Sequence, residues 1–360
     1  MTAAGAHSSP ENPTASYIEE SVEWLQAAAA PWSPSPSRCL VADFGLCQLY
    51  RYPALVDTDT STSTIAARNV LFIVYAMVNT ASILDLRDKL SIIQRLQWLG
   101  LTIYLMEWVP PQSSQSNIGL AEYLEQSLHR CVEKACQDSA ADRLNLMGVC
   151  QGGVFSLCYA AMYPERVRSL VPVVTPINFH TENDTLSRWV RYVPLDELMV
   201  SGMNIPGQML AQVFIMLKPM SLSVKKYLDI AKRSRQGTED AEIAETFMAM
   251  EQWIHNTPDQ PAACFKDFVE KFYQQNALYH SSLHLAGRAV DLRQPNIPTL
   301  NIYAKNDHLV PPESSKALQE LIPAHCYHSL EIPTGHIGMF VSQKSLNYVP
   351  QAIADFIRQV

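Results

Sequence analysis

From Val70 onward the chain switches repeatedly between short unbroken apolar runs and segments whose apolar residues recur every three to four positions. Val70–Val78 is a continuous apolar run with β-branched and aromatic residues, which predicts a strand buried on both faces. Asp85–Gly100 carries Leu86, Leu90, Ile93 and Leu96 at helical spacing and closes on Gly100, predicting one helix. Leu101–Trp108 reads as a second buried strand. Gly119–Ser139, apolar at Leu120, Leu124, Leu128, Val132 and Ala135, reads as a second amphipathic helix. A third run, Leu144–Val149, ends in a glycine-rich turn, and a small-residue apolar helix follows at once as far as Tyr163. Val167–Thr175 makes a fourth strand. Strands alternating with helices imply a parallel sheet covered on both faces. Upstream, Cys39–Tyr52 alternates weakly through Val41, Phe44 and Leu49 and predicts a hairpin leading into the sheet.

The alternation then stops. Pro176–Pro295 is helix-like, holds Met199, Met203, Met209, Met216, Met220, Met248 and Met250, and carries Trp189 and Trp253. Strand character resumes at Pro298–Ala304, so the block is an insertion between two strands of one sheet, from near Thr175 to Thr299. An insertion there lies over the C-terminal edge of the sheet, where loops of such folds hold their ligands, and is expected to be a lid. Its methionines suit either an ordinary helical core or a mobile, substrate-facing surface. The expected organisation is a flexible segment at 1–38, a first core part at 39–177, a helical lid at 178–295 and a second core part at 296–360. The first segment is rich in Ala, Ser and Pro, with an amphipathic patch at Tyr17–Ala30 that could dock on a partner.

The turn at Gly148-Val149-Cys150-Gln151-Gly152-Gly153 has the pattern of a nucleophile elbow with cysteine as the nucleophile. The flanking glycines let backbones approach where a Cβ would collide, and the helix that follows points its positive N-terminus at Cys150. After the insertion, Asn306-Asp307-His308 follows the resumed strand directly, and Ser329–His336 supplies another short strand ending at Gly335-His336. Nucleophile Cys150, acid Asp307 and base His336 therefore occur in α/β-hydrolase order. In that arrangement His336 takes the thiol proton or holds a thiolate–imidazolium pair, and Asp307 fixes the imidazole tautomer and orientation. His308 is either structural support or a near-site proton donor. An acyl-transfer site also needs an oxyanion hole, with one N–H from Gln151 and another from the Ala76–Asn79 loop. Met77 and Val78 are the candidates there, and Val78 is the choice by fold analogy.

The chain has 360 residues, 48% of them apolar, and a net charge of −8 without any basic run, which argues against nucleic acid as a partner. Its eight cysteines show no CxxC pair and no metal-ligand spacing, as expected for reduced thiols in a cytosolic protein. No stretch reads as a signal peptide or a membrane span. No cofactor or metal is expected.

Gly148–Gly153, Tyr75–Asn79 followed by Ile83–Leu86, Trp253–Gln260, Asn306–Pro312 and Gly335–Ser342 together resemble the catalytic subunit of a class III polyhydroxyalkanoate synthase, from about Cys39 to the C-terminus. The resemblance implies an α/β-hydrolase-fold cysteine acyltransferase. Such an enzyme polymerises (R)-3-hydroxyacyl-CoA into a growing polyester chain, with coenzyme A as leaving group. It also implies a second synthase subunit, a homodimer within a larger complex, and a cytoplasmic location at the surface of polyester granules. Cys150, Asp307 and His336 match the family's triad. Asn79-Thr80 departs from the Asn-Arg-Pro pattern of the family, so the arginine's place is unfilled. The short chain points to the two-component classes III and IV, and Gln151 after the cysteine points to class III.

Chemistry gives cysteine a separate rationale: a CoA thioester loaded onto a thiol stays a thioester and keeps its reactivity towards a hydroxyl. Arg188, Arg191, Lys218, Lys225 and Lys226 are candidates for holding the CoA phosphates, or plain surface charge. The C-terminal helix around Tyr348, Ile353, Phe356 and Ile357 either packs on its own core or offers a partner surface. Two alternatives share parts of this pattern. A cysteine hydrolase of the dienelactone type has the same elbow and triad, in a shorter chain without the large insertion. A non-catalytic granule-binding scaffold would not need an intact triad.

Overall fold

Eight strands form one sheet in the computed structural model, which describes residues 38–56, 68–199, 202–217 and 240–360. They are β1 (Cys39–Asp43), β2 (Cys47–Tyr52), β3 (Val70–Val74), β4 (Thr102–Trp108), β5 (Leu144–Val149), β6 (Val167–Val173), β7 (Thr299–Ala304) and β8 (Tyr327–Ile332). Their order across the sheet is β1-β2-β4-β3-β5-β6-β7-β8. From β4 to β8 every neighbouring pair is parallel, and β2 runs antiparallel to both β1 and β4. The leading hairpin and the four central strands thus form within the apolar runs, although β3 ends at Val74, four residues short of Val78.

Both faces of the sheet are covered, and β3 shows why its sequence is an unbroken apolar run. Val70, Phe72 and Val74 pack into one core, Leu71 and Ile73 into the other, and none is more than 2% exposed. Each such side chain contributes roughly 1.5–3 kcal/mol by leaving water. A polar residue at any of the five would face apolar neighbours on whichever side it fell.

Asp85–Gly100 is not one helix. Asp85–Arg87 and Leu90–Ser91 pair as a small antiparallel hairpin, and only Ile92–Trp98 (α1) is helical. Lys89 turns the hairpin at φ +68°, and the Ser91 side chain caps α1 by accepting from the Gln94 N–H at 2.9 Å. Local side-chain capping outweighed the helical spacing, because Leu86 and Leu90 are buried from the hairpin just as they would be from a helix. Gly119–Ser139 is helical throughout, as Leu120–Glu122, a π-type segment Tyr123–His129, and Arg130–Ser139 (α2).

Gln151–Met162 (α3) follows β5 at once. Between β6 and β7 the described residues form helices Thr185–Val190 (α4), Leu195–Leu198 (α5), Gly207–Met216 (α6), Asp240–His255 (α7) and Ala262–Phe268 (α8), the last continued by a π-type segment Val269–Gln274. Helix does not run to Pro295. His284–Leu285 and Arg288–Ala289 form a short hairpin, turned by Ala286 and Gly287 at φ 51° and 74°. Met203, Met209 and Met216 are 57%, 49% and 55% exposed, so these three are not helical core.

Of the four residues singled out in the C-terminal helix (Gln343–Gln359), Ile353, Phe356 and Ile357 pack into the core and Tyr348 is exposed, at 63%. Three of the four residues therefore serve the protein's own interior and offer no partner surface. The amphipathic patch Tyr17–Ala30 and the residues Met220, Lys218, Lys225 and Lys226 lie outside the described residues. Among the described residues, no helix is long and apolar enough to cross a membrane.

Candidate active site

Cys150 stands between β5 and α3 at φ +53°, ψ −119°, a conformation that costs a non-glycine residue on the order of 1–3 kcal/mol. The surroundings hold it there. Its N–H donates to Val173 O at 2.9 Å, and its own carbonyl accepts from Gly153 N–H at 2.9 Å. The three glycines are required by close backbone approach. A Cβ on Gly148 would lie 2.5 Å from Gly153 Cα, one on Gly152 would lie 2.3 Å from Val74 O, and one on Gly153 would lie 1.8 Å from Thr175 Oγ1. The sequence Gly-x-Cys-x-Gly-Gly is thus what lets α3 sit against the ends of β3 and β6 with the cysteine raised at their edge.

Asp307 and His336 reach the same edge from the loops after β7 and β8. These loops are laced together by Lys305 N–H to Ile332 O at 2.8 Å and Asn306 N–H to Thr334 O at 2.9 Å. His336 Nδ1 lies 2.7 Å from Asp307 Oδ2, with the carboxylate fully buried and the ring 10% exposed. The other carboxylate oxygen, Oδ1, accepts from the N–H groups of Leu309 and Val310 at 2.9 and 3.0 Å. Both oxygens are therefore committed, and the carboxylate cannot rotate without breaking a bond.

Burial lowers the His336 pKa, but the charges of Asp307 and Cys150 and hydrogen bonds to both overcome it, so the imidazole stands well above the ordinary 6.5. Cys150, His336 and Asp307 are brought together as their order along the chain predicts. His308 is half-buried beside Asp307, and the N–H groups of Leu309 and Val310 orient the carboxylate.

The Ala76–Asn79 loop packs on the first turn of α3. Met77 N–H donates to Gln151 Oε1 at 2.9 Å and is thereby used up. The N–H groups of Val78 and Gln151 have no hydrogen-bond partner among the described residues, which favours Val78 over Met77 as the loop's open donor. The Gln151 side chain thus fixes the loop, a role its position after the cysteine does not reveal.

The insertion closes on this loop. Trp253 Nε1 donates to Thr80 O at 2.8 Å, and Gln260 Nε2 donates to Met77 O. Tyr75 and Tyr273 are further residues that the elbow pattern did not single out. Burial first, and then the charge of Cys150, raises the hydroxyl pKa of Tyr75 well above the ordinary value; for Tyr273, burial and Asp184 precede Cys150 among the causes. A cavity of about 570 Å³ is bounded by Tyr75, Met77 and Thr80, by Trp108, and by Trp253 and Pro258 of the insertion. Of the two described phosphate-site candidates, Arg188 is exposed, while Arg191 is half-buried and donates to Phe179 O at 3.4 Å.

Residues 87–343 match the model of the α/β hydrolase fold family. The chain is similar to the poly(3-hydroxyalkanoate) polymerase subunit PhaC of Thiocystis violacea, at 37% identity over 93% of this chain and 91% of that one. The corresponding subunit of Allochromatium vinosum is 37% identical over 93% of this chain and 92% of that one. That of Synechocystis sp. is 38% identical over 86% and 81% respectively. Among solved structures, Rv0554 from Mycobacterium tuberculosis aligns with a TM-score of 0.53 at 15% identity, over 81% of this chain and 90% of that one. A monoacylglycerol lipase from Paleococcus ferrophilus aligns with a TM-score of 0.50 at 15% identity, over 87% and 98%. These structural likenesses speak for the fold alone.

Proposed function

Because the chain belongs to the poly(3-hydroxyalkanoate) polymerase subunit PhaC family and to the α/β-hydrolase fold, we propose that it is the catalytic subunit of a class III synthase that polymerises (R)-3-hydroxyacyl-CoA, of short chain such as 3-hydroxybutyryl-CoA, with release of coenzyme A. The observation that carries this reading is a cysteine on a strained elbow, facing an imidazole that is held by a doubly anchored carboxylate.

In this mechanism the Cys150 sulfur attacks the thioester carbonyl, whose C=O electrons move to oxygen and are stabilised by the N–H groups of Gln151 and Val78. Collapse re-forms the carbonyl and breaks the bond to the CoA sulfur, which takes the proton held by His336. The acyl group is now a thioester on Cys150. The 3-hydroxyl of a second unit or chain end then gives its proton to His336 and attacks that thioester. The new ester forms as the Cys150 sulfur leaves. Asp307 keeps Nδ1 of His336 occupied, so Nε2 is the nitrogen that exchanges protons. Water would use the same intermediate, and the insertion over the site serves as a lid that limits it.

The class III assignment implies a second synthase subunit, homodimerisation within a larger complex, and residence in the cytoplasm at the polyester granule. Incubation with 3-hydroxybutyryl-CoA, with and without such a subunit, tests the reading. Sedimenting polymer and released CoA support it, with the subunit raising the rate. Free 3-hydroxy acid as the product would make the protein a cysteine hydrolase. Cys150→Ala should abolish CoA release, and an acyl adduct on Cys150 should be found by peptide mass spectrometry; turnover retained in that variant would sink the mechanism.

A further inference from the structure

The peptide unit joining Met77 to Val78 is held from the inserted block. Its carbonyl belongs to Met77 and its N–H to Val78, and in a planar trans amide the two point in opposite directions. Whatever fixes the carbonyl therefore aims the donor. Gln260, 2% exposed, donates from Nε2 to Met77 O. The same nitrogen lies 3.4 and 3.5 Å from the carbonyl oxygens of Pro258 and Asp259. Three acceptors around one atom are satisfied by the NH₂ end of the amide and not by its oxygen, which settles the orientation of the side chain.

The backbone of Gln260 is itself anchored, exchanging two 2.9 Å hydrogen bonds with Ile205. Cys264 of α8 sets its sulfur 3.8 Å from Met77 Sδ. From the other side, Gln151 holds the Met77 N–H. The loop is therefore gripped at adjacent peptide units, by the elbow helix on one and by the insertion on the next.

We propose that Gln260 is a positioning residue for acyl transfer, acting through the 77–78 peptide to turn the Val78 N–H towards the reacting carbonyl. Drawing on the Met77 carbonyl also polarises the amide and strengthens its N–H as a donor. One half of the oxyanion hole then exists only while the insertion is seated on the loop, so closure of the block and competence of the site are the same event. This rests on the acyl-transfer reading above. A missing oxyanion donor lowers turnover by about 10²–10³, and a mis-aimed one should fall short of that.

The test compares the full-length wild-type protein with Gln260→Met and Gln260→Leu, which fill the space and cannot donate to the Met77 carbonyl. Two reactions of Cys150 are measured: acylation by p-nitrophenyl butyrate, which develops an oxyanion, and alkylation by iodoacetamide, which does not. The expected result is an acylation rate at saturation lowered at least about tenfold, with the half-saturating ester concentration and the alkylation rate nearly unchanged. Equal acylation in all three proteins would overturn the proposal. So would a parallel loss of acylation and alkylation, which marks a general loosening of the site. Should the wild-type protein be acylated by the ester yet make no polyester from 3-hydroxybutyryl-CoA, the polymerase reading falls while the Gln260 comparison still decides this one.

Discussion

His336 Nδ1 and Asp307 Oδ2 are 2.7 Å apart, and the second oxygen of that carboxylate is tied to two backbone N–H groups of the following turn. The carboxylate is thus an oriented acceptor that selects one tautomer of the imidazole. In Asp307→Asn, an amide oxygen can replace only one of the two acceptors, and its NH₂ would then face either His336 or the Leu309 and Val310 N–H groups. Elongation should fall by up to about 10⁴, the loss seen when the orienting carboxylate of a triad becomes an amide, while slow acylation persists because Cys150 and His336 remain. Single-turnover CoA release measured against steady-state polymer formation separates the two steps. Equal rates for wild type and variant in both would place the acid elsewhere.

The raised pKa of His336 links stability to pH in a stated direction. A folded-state pKa above the unfolded one means that the native protein holds the proton more tightly, so the contribution is fully present below about 6.5. It is lost as pH rises through the elevated folded value. Stability of the wild type should therefore decline with rising pH more steeply than that of His336→Gln. In Cys150→Ala the imidazole pKa should fall, since two of the influences that raise it come from Cys150, yet Asp307 continues to raise it. Denaturant titrations over a pH series and ¹⁵N-histidine spectra read both effects. A pH slope identical in His336→Gln and wild type would refute the linkage.

Gly153 meets Thr175 so closely that a methyl group there would overlap the hydroxyl. Gly153→Ala should cost at least about 1–3 kcal/mol, the usual range for overpacking, and should tilt α3 away from Cys150. Adding Thr175→Ala removes Oγ1 and Cγ2 but leaves Cβ 2.8 Å from the new methyl, so stability should recover only in part. A double-mutant cycle followed by thermal melting measures the coupling; strict additivity would show that the contact is not the cause.

The strands and the triad were legible because each rests on a local or ordered signal. The five residues of β3 are apolar on both faces, and Gly148, Cys150, Gly152 and Gly153 are fixed by one turn. What was not legible depends on which groups meet across the fold. Leu86 and Leu90 are buried equally from a hairpin and from a helix, so spacing could not tell the two apart. Gln151 and Gln260 act through amide groups on a loop more than seventy positions away, a relation that hydropathy does not record. The anchoring of Asp307 could have been foreseen in part: an aspartate two and three residues ahead of two free N–H groups, with Pro311 next, is the pattern of a side chain that closes a turn.

Gln151 offers a test in which stability and activity should part. Its side-chain oxygen satisfies the buried Met77 N–H, and its own N–H stands in the first turn of α3. Gln151→Ala leaves that buried donor without a partner, which costs about 1–3 kcal/mol, and frees the loop, so melting temperature and turnover should both drop. Gln151→Glu keeps an acceptor for Met77 and adds a negative charge at a helix N-terminus, where it is favourable by about 0.3–1 kcal/mol. The same charge lies close to the proposed oxyanion hole, where the carbonyl oxygen of the substrate would turn negative, so it opposes the transition state. Gln151→Glu should therefore melt at or above the wild-type temperature yet turn over more slowly. Its defect should ease as pH is lowered and the carboxylate is neutralised. Full activity of Gln151→Glu at neutral pH would mean that no negative charge develops beside α3, and the oxyanion hole would have to be sought away from Gln151 and Val78.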